Sequence, residues 1–294
     1  MFGLYRPKSL DDALEFLSKN APEVRPIAGG TELLVLLRDK KIPTPKYLLD
    51  LSPLKNQLSY VKVEGEVVKI GATTTLYELS KTFLHKDVRF AGFVDTWRKF
   101  GTFAIRFSAT IGGNIAAATQ YSDYITLLLA YDASVRVISV KGERVIPLEH
   151  FIIDKRTIRL QPDELIVEVE FPNPPDRTSS SFIKFDRREL LIAGIVTGAC
   201  YLSLDGSRIR DVKIAFDMVR DKRIPARLKE VEDFLRNREF SEEIIEKASE
   251  EVLPASMKRI SDWWTSAEYR LDMSKVSLKR GLLRSKTRIE RGVI

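Results

Sequence analysis

Apolar residues Leu10, Ala13, Leu14 and Leu17 fall three and four apart in "KSLDDALEFLSKN", which predicts a short amphipathic helix. Ser9 stands as its N-cap, Asp11 and Asp12 suit the positive end of the helix dipole, and Asn20 with Pro22 ends it. "EVRPIAGG" then reads as a short buried strand entering a Gly-Gly turn, and "TELLVLLRDKK" as a helix that Thr31 can cap. After "IPTP" comes a short strand, "YLLDL", and then "YVKVEGEVVKIGAT", whose period-two alternation around Glu64-Gly65 marks a hairpin. "TLYE" at 75–78 is a capping box opening a helix to about Leu84, and a further helix covers about 90–100. "DYITLLLAYDA" is a buried helix starting at Ser122 or Asp123, followed by strands in "SVRVISVKGERVIPL" and "ELIVEVEFP".

The pattern breaks at "PNPPDRTSSS", residues 172–181, where proline fixes an extended backbone and the serines offer no core. Beyond it, "SFIKF", "AGIVTGACYLSL" and "RIRDVKIAFDMV" suggest an antiparallel sheet, followed by helices near 225–237, 241–253 and 265–285. The expected division is therefore 1–173, with subdomains of about 1–57 and 58–173, then 178–285 and a basic tail, 286–294.

Composition narrows the function classes. With 294 residues, 44% hydrophobic and 30% charged, the chain is long enough for two or three packed units and is not compositionally disordered. No apolar run approaches a bilayer span and the start lacks a secretory pattern, so a soluble, cytoplasmic protein is expected, with no membrane partner. A single cysteine, Cys200, and two histidines, His85 and His150, leave few soft metal ligands, so no metal site is expected. Cys200 lies in an apolar strand-like run and reads as an inert buried thiol. The net charge is +7, of which residues 258–294 carry ten basic against four acidic side chains, a balance of +6. That stretch follows a helical pattern without aromatic interleaving after Tyr269, which favours a solvated or partner-facing helix over a nucleic-acid site.

Two glycine pairs carry the candidate chemistry. Gly29-Gly30-Thr31 precedes a helix, where absent Cβ atoms let an anion approach the backbone amides and the helix dipole favours negative charge. Gly112-Gly113-Asn114 offers a second set of amides, with Thr110 and Asn114 as side-chain donors, and two such loops favour a diphosphate. Asp123 is either a sugar-hydroxyl acceptor or a helix cap. Neither loop is a GxGxxG fingerprint or a P-loop, which argues against an NAD-type Rossmann fold and an NTPase.

"AGGTELL" and "ATIGGNIA", followed by Asp123, resemble the paired FAD signatures of the flavin subunit of molybdenum hydroxylases, the group containing the medium chain of carbon monoxide dehydrogenase and the flavin domain of xanthine dehydrogenase. The resemblance extends through "YRPKSLDDALEFL", "IGATTTLYEL", "AYDASVRVIS", "PDELIVEVEFP", "KFDRRELLIAGIVTGA" and "SAEYRLDM", in that order. It implies an α+β fold: a two-part FAD-binding domain of the vanillyl-alcohol-oxidase/PCMH type, then a C-terminal domain of antiparallel sheet plus helix bundle. It implies one FAD loop at Pro26, Ile27, Ala28, Gly29, Gly30, Thr31, Glu32 and Leu33, and a second at Thr110, Ile111, Gly112, Gly113 and Asn114. It further implies cofactor contacts from Asp123, Phe100, Ile166 and Lys184. Arg106-Phe107-Ser108 departs from the Arg-Asn the family often carries there, and Thr126 replaces a frequent proline.

The resemblance implies a chain that supplies no catalytic acid, base or nucleophile. Its FAD takes electrons from a partner's iron-sulfur clusters and passes them to an external acceptor. A small 2Fe-2S subunit and a large molybdopterin subunit are the implied partners, in a dimer of heterotrimers, and Trp263-Trp264 are candidate interface anchors. A stand-alone, non-covalent FAD oxidoreductase of the same fold is the alternative. The residues do not choose between aldehyde, CO and xanthine as substrate.

Overall fold

The computed structural model describes residues 2–188, 193–217, 224–258 and 260–294. Glu189–Ile192, Met218–Val219 and Arg259, all within stretches interpreted above, lie outside the described residues.

The chain opens with a parallel three-stranded sheet of order β1-β3-β2, from Gly3–Tyr5, Tyr47–Asp50 and Val24–Ile27. The helix Leu10–Asn20 forms as its pattern predicts: Ser9 accepts from the Asp12 amide, and Ala13, Leu14 and Leu17 are buried. The next helix is shorter than expected, Leu33–Arg38, and Thr31 does not cap it. Gly30 takes a left-handed turn at φ +69°, which moves the helix start on to an N-cap at Glu32.

A five-stranded antiparallel sheet follows, of order β4-β5-β10-β6-β7. Its hairpin β4–β5 (Val61–Glu64, Val67–Gly71) turns at Gly65, φ +61°, as alternation predicts. Strands β6 (Ser134–Ser139) and β7 (Gly142–Pro147) form the far edge, and a small pair, β8 (Ile152–Asp154) and β9 (Thr157–Ile158), precedes β10 (Leu165–Pro172). Thr75 and Glu78 complete both arms of a capping box, but the helix stops at Leu79 and the chain continues through a separate 3₁₀ turn, Phe83–His85. Helices Ala91–Lys99, Phe103–Ser108, Ile111–Ala117 and Asp123–Leu129 cover this sheet, with Phe90, Phe93, Tyr124, Tyr131 and Phe171 in the core between.

The third sheet is antiparallel, β11-β12-β13-β14, from Thr178–Phe185, Val196–Asp205, Arg208–Phe216 and Ala226–Arg227. Here one expectation fails. Ser179, Ser180 and Ser181 are strand residues with no exposed surface, and each hydroxyl is hydrogen-bonded: to the Val88 carbonyl, to Tyr131 and the Gly92 amide, and to the Gly281 carbonyl. Small, satisfied hydroxyls let the first half and the last helix approach this strand closely. The helices run Lys229–Leu235, Glu242–Lys247 and Ala267–Arg291. The last absorbs most of the expected tail at 286–294, because Ile289 packs on the core and Arg288 is buried against Asp95.

Candidate functional site

The first glycine loop leaves β2 and is fixed by close approach. A Cβ on Gly29 would lie 1.9 Å from the Ser108 carbonyl oxygen, so only glycine fits. Among the described residues, the amides of Gly29, Gly30, Thr31 and Glu32 donate to no protein acceptor. Four unpaired amides around a left-handed turn make an anion-binding concavity. Thr31 is exposed, Pro26, Ile27 and Leu33 are half-buried, and Glu32 is ion-paired with Arg156 from the turn between β8 and β9.

The second loop differs from the sequence expectation. The Ile111 amide donates to Thr74, Gly112 to Ala72, Gly113 to the Thr110 hydroxyl and Asn114 to the Thr110 carbonyl, so none of these amides remains for a ligand. Thr110 spends its side chain as an N-cap acceptor. Gly112 is glycine because a Cβ would meet the Ala72 carbonyl at 2.8 Å, whereas a Cβ on Gly113 would meet only the Thr110 hydroxyl, at 2.9 Å. The loop thus seats its helix on the end of β5. Its free polar group is the Asn114 side-chain oxygen, buried without a partner, as is the neighbouring Thr73 hydroxyl.

Between the two loops runs a cleft of about 240 Å³ that joins Ala28 and Gly29 to Thr110 and Ser108. Its other wall is Ser52, Lys55, Thr73 and Thr75, none of them a sequence candidate as a ligand group. Lys55 brings the cation that the glycine loops lack; its ammonium pairs with Glu78 at 2.6 Å and is half exposed. The threonine run 73–75 was visible in the sequence, but the capping role of Thr75 accounted for it locally.

Asp123 and Lys184, 61 positions apart, form a buried ion pair of 2.9 Å, which settles two local alternatives. Asp123 is not a helix cap, and Lys184 is not an exposed strand cation. Burial pushes the Asp123 carboxyl up to about 6, with Lys184 pulling it back and Asp186 adding to the rise. Phe100 closes the Ala91–Lys99 helix with its ring edge-on to Tyr124 at 5.6 Å, and its carbonyl accepts from Arg106 at 2.5 Å. Ile166 sits in the main core beside a bulge in β10; neither it nor Phe100 lines the cleft. Cys200 is fully buried and its thiol is pushed up to about 12 by that burial, so it stays protonated and inert.

Unpaired amides, a cradle that a Cβ would fill, and orphaned buried oxygens at Asn114 and Thr73 fit a diphosphate flanked by polar groups. Residues 1–174 match the FAD binding domain in molybdopterin dehydrogenase, and residues 180–285 the CO dehydrogenase flavoprotein C-terminal domain. The chain belongs to the FAD-binding medium subunits of the molybdenum hydroxylases. This medium subunit is similar to the glyceraldehyde dehydrogenase medium chain of Sulfolobus acidocaldarius, with 31% identity over 94% of this chain and 95% of the relative. It is also similar to the xanthine dehydrogenase FAD-binding subunit of Escherichia coli, with 26% identity over 94% and 93%. A chain in the crystal structure of Cu,Mo-CO dehydrogenase superposes with a TM-score of 0.89 at 27% identity, covering 98% of both chains. The medium subunit thus has the two-domain FAD-binding fold of those enzymes. No helix among its described residues is long and apolar enough to cross a membrane.

Proposed function

We propose that this medium subunit holds FAD with its diphosphate in the cleft between Gly29–Glu32 and Thr110–Asn114, and that it works in the cytoplasm beside an iron-sulfur and a molybdopterin subunit. Bound FAD supplies a carrier that accepts electrons singly or in pairs and releases them to an external acceptor. The chain's own residues bind, orient and shield. The amides of Gly29, Gly30, Thr31 and Glu32 take the phosphate oxygens, and Lys55 balances their charge from across the cleft. Asn114 and Thr73 turn orphaned oxygens toward hydroxyls of the cofactor, while Phe100 and Ile166 give apolar contact and Asp123–Lys184 a buried charge pair beside the ring. Pro26, Ile27, Ala28 and Leu33 carry the first loop, Ile111 and Gly112 anchor the second on Thr74 and Ala72 just past β5, and Gly113 closes it on the Thr110 hydroxyl. Substrate choice lies with the molybdopterin subunit.

The observation that carries this reading is the run of four unpaired amides that begins at Gly29, which itself lines the cleft opposite Thr110. A Cβ at position 29 collides with backbone, whereas one at 113 meets only the Thr110 side chain, at 2.9 Å. Gly29→Ala is therefore expected to empty the site, and Gly113→Ala to keep most of its FAD. The flavin-to-protein ratio after reconstitution reads the difference. Full occupancy in Gly29→Ala would sink the cradle.

A further inference from the structure

The helix Phe103–Ser108 carries the departure from the family pattern, Arg106-Phe107-Ser108, and turns its aromatic residues outward. Phe103 is 64% and Phe107 52% exposed. They belong to one contiguous surface: Phe107 lies 4.1 Å from the Tyr77 ring, Phe103 6.3 Å from Trp97, and Tyr77 6.4 Å from Trp97. Beneath it the buried Arg106 guanidinium stacks on Trp97 and Phe103, at 4.6 and 5.1 Å. A patch of Phe, Tyr, Trp and Arg on a folded chain has the composition of an interface centre, and leaving it wet is unfavourable.

Its rim is basic. Lys81 stands over the Tyr77 ring at 4.8 Å and Arg98 lies on the neighbouring helix; among the described residues neither makes a salt bridge. His85, edge-on to Trp97, is pushed down to about 4, first by burial and then by the charges of Arg98 and Lys81. The patch is also tied to the cofactor site. Arg106 donates to the carbonyls of Phe100 and Gly101, and the same helix ends at Ser108, whose carbonyl packs on Gly29.

We infer that this aromatic patch with its basic rim is the docking surface for the iron-sulfur subunit. The inference rests on the function proposed above, since it takes Phe100 to lie beside the flavin. An electron donor must come close to that side of the site, and a 2Fe-2S cluster held by four thiolates is a net anion that a basic rim attracts. Phe107 adds apolar contact where the family's asparagine would be polar, so the departure fits a partner interface.

The test uses the full chain with both partner subunits. The pair Phe103→Ser/Phe107→Ser is expected to bind FAD and melt like the unaltered protein. It is expected to lose roughly tenfold to hundredfold affinity for the iron-sulfur subunit and to slow substrate-driven flavin reduction, while direct reduction by dithionite is unchanged. Lys81→Glu/Arg98→Glu reads the same surface without touching the aromatics, and its loss should be largest at low salt. Unchanged iron-sulfur affinity in both variants overturns the inference, as does a loss confined to the molybdopterin subunit or to self-association. An unaltered chain that takes up no FAD overturns the proposed function instead.

Discussion

Asp123 and Lys184 show how much one buried pair can govern. Their side chains keep only 3% and 4% of their surface, so the charged forms depend on each other. The Asp123 carboxyl is raised by burial to about 6, against 3.8 in the unfolded chain, so the folded state holds its proton more tightly. Proton uptake on folding makes stability fall as pH rises from about 4 to about 6, with the loss complete above that. Lys184→Met removes the cation that holds the carboxyl down. In that variant the carboxyl keeps its proton to higher pH, and the falling limb of a Tm-against-pH series extends above the limit of about 6 seen in the unaltered chain. If the two profiles coincide, Lys184 does not hold the Asp123 carboxyl down. FAD affinity, followed by fluorescence over the same range, should move with the same proton.

Among the elements, the helix Ala91–Lys99, strand β11 and the last helix meet at one buried polar cluster. Arg288 donates to both Asp95 oxygens and to the Ser180 carbonyl at 2.8 Å each, and Asp95 accepts the Phe182 amide at 3.1 Å. Arg288→Met would leave Asp95 buried with only the more distant Arg284, at 3.6 Å, and should cost about 3–5 kcal/mol. Adding Asp95→Asn should recover part of that loss, since the uncompensated charge goes with it. Denaturant melts of both single variants and the pair supply the cycle, and strict additivity would mean the two side chains do not interact. The same cluster marks where the sequence stopped being legible. The Ser9 cap, the Thr75–Glu78 box and the Gly65 hairpin were readable because their partners lie within a few residues. Ser180 and Ser181 read as linker because the groups that satisfy them stand 88 and 100 positions away. The second glycine loop was visible as a motif, but not that the Ile111 and Gly112 amides are taken by Thr74 and Ala72, acceptors no local pattern counts. Lys55 and Ser52 escaped because a side chain that joins a cleft from a third segment leaves no motif.

At the scale of the whole molecule, the two family segments, 1–174 and 180–285, do not meet as separate bodies. The second segment's first strand is buried on both faces: Ser180 bonds to the Gly92 amide and Tyr131 on one face, and Ser179 and Ser181 to the Val88 and Gly281 carbonyls on the other. Arg288, which locks that contact, lies three residues beyond the second segment, so the last turns of the final helix complete the first half rather than trail from the second. Lys184, on the same strand, reaches Asp123 in the first half. Unfolding either half therefore strips buried polar groups in the other, and the chain should melt in a single calorimetric transition despite its two-domain fold. FAD binds only the folded chain, so at free concentrations of 100 times its Kd it adds about 2.7 kcal/mol and should raise that one transition by roughly 4 °C. If the halves were independent, the scan would show two transitions and FAD would move the first alone. Truncation after Ser285 supplies the internal control: it removes Arg288, Ile289 and the last turn, and is expected to lower Tm and separate the halves into two transitions. A truncated chain that still melts once, at the original temperature, would place the coupling elsewhere than the Asp95–Arg288 cluster.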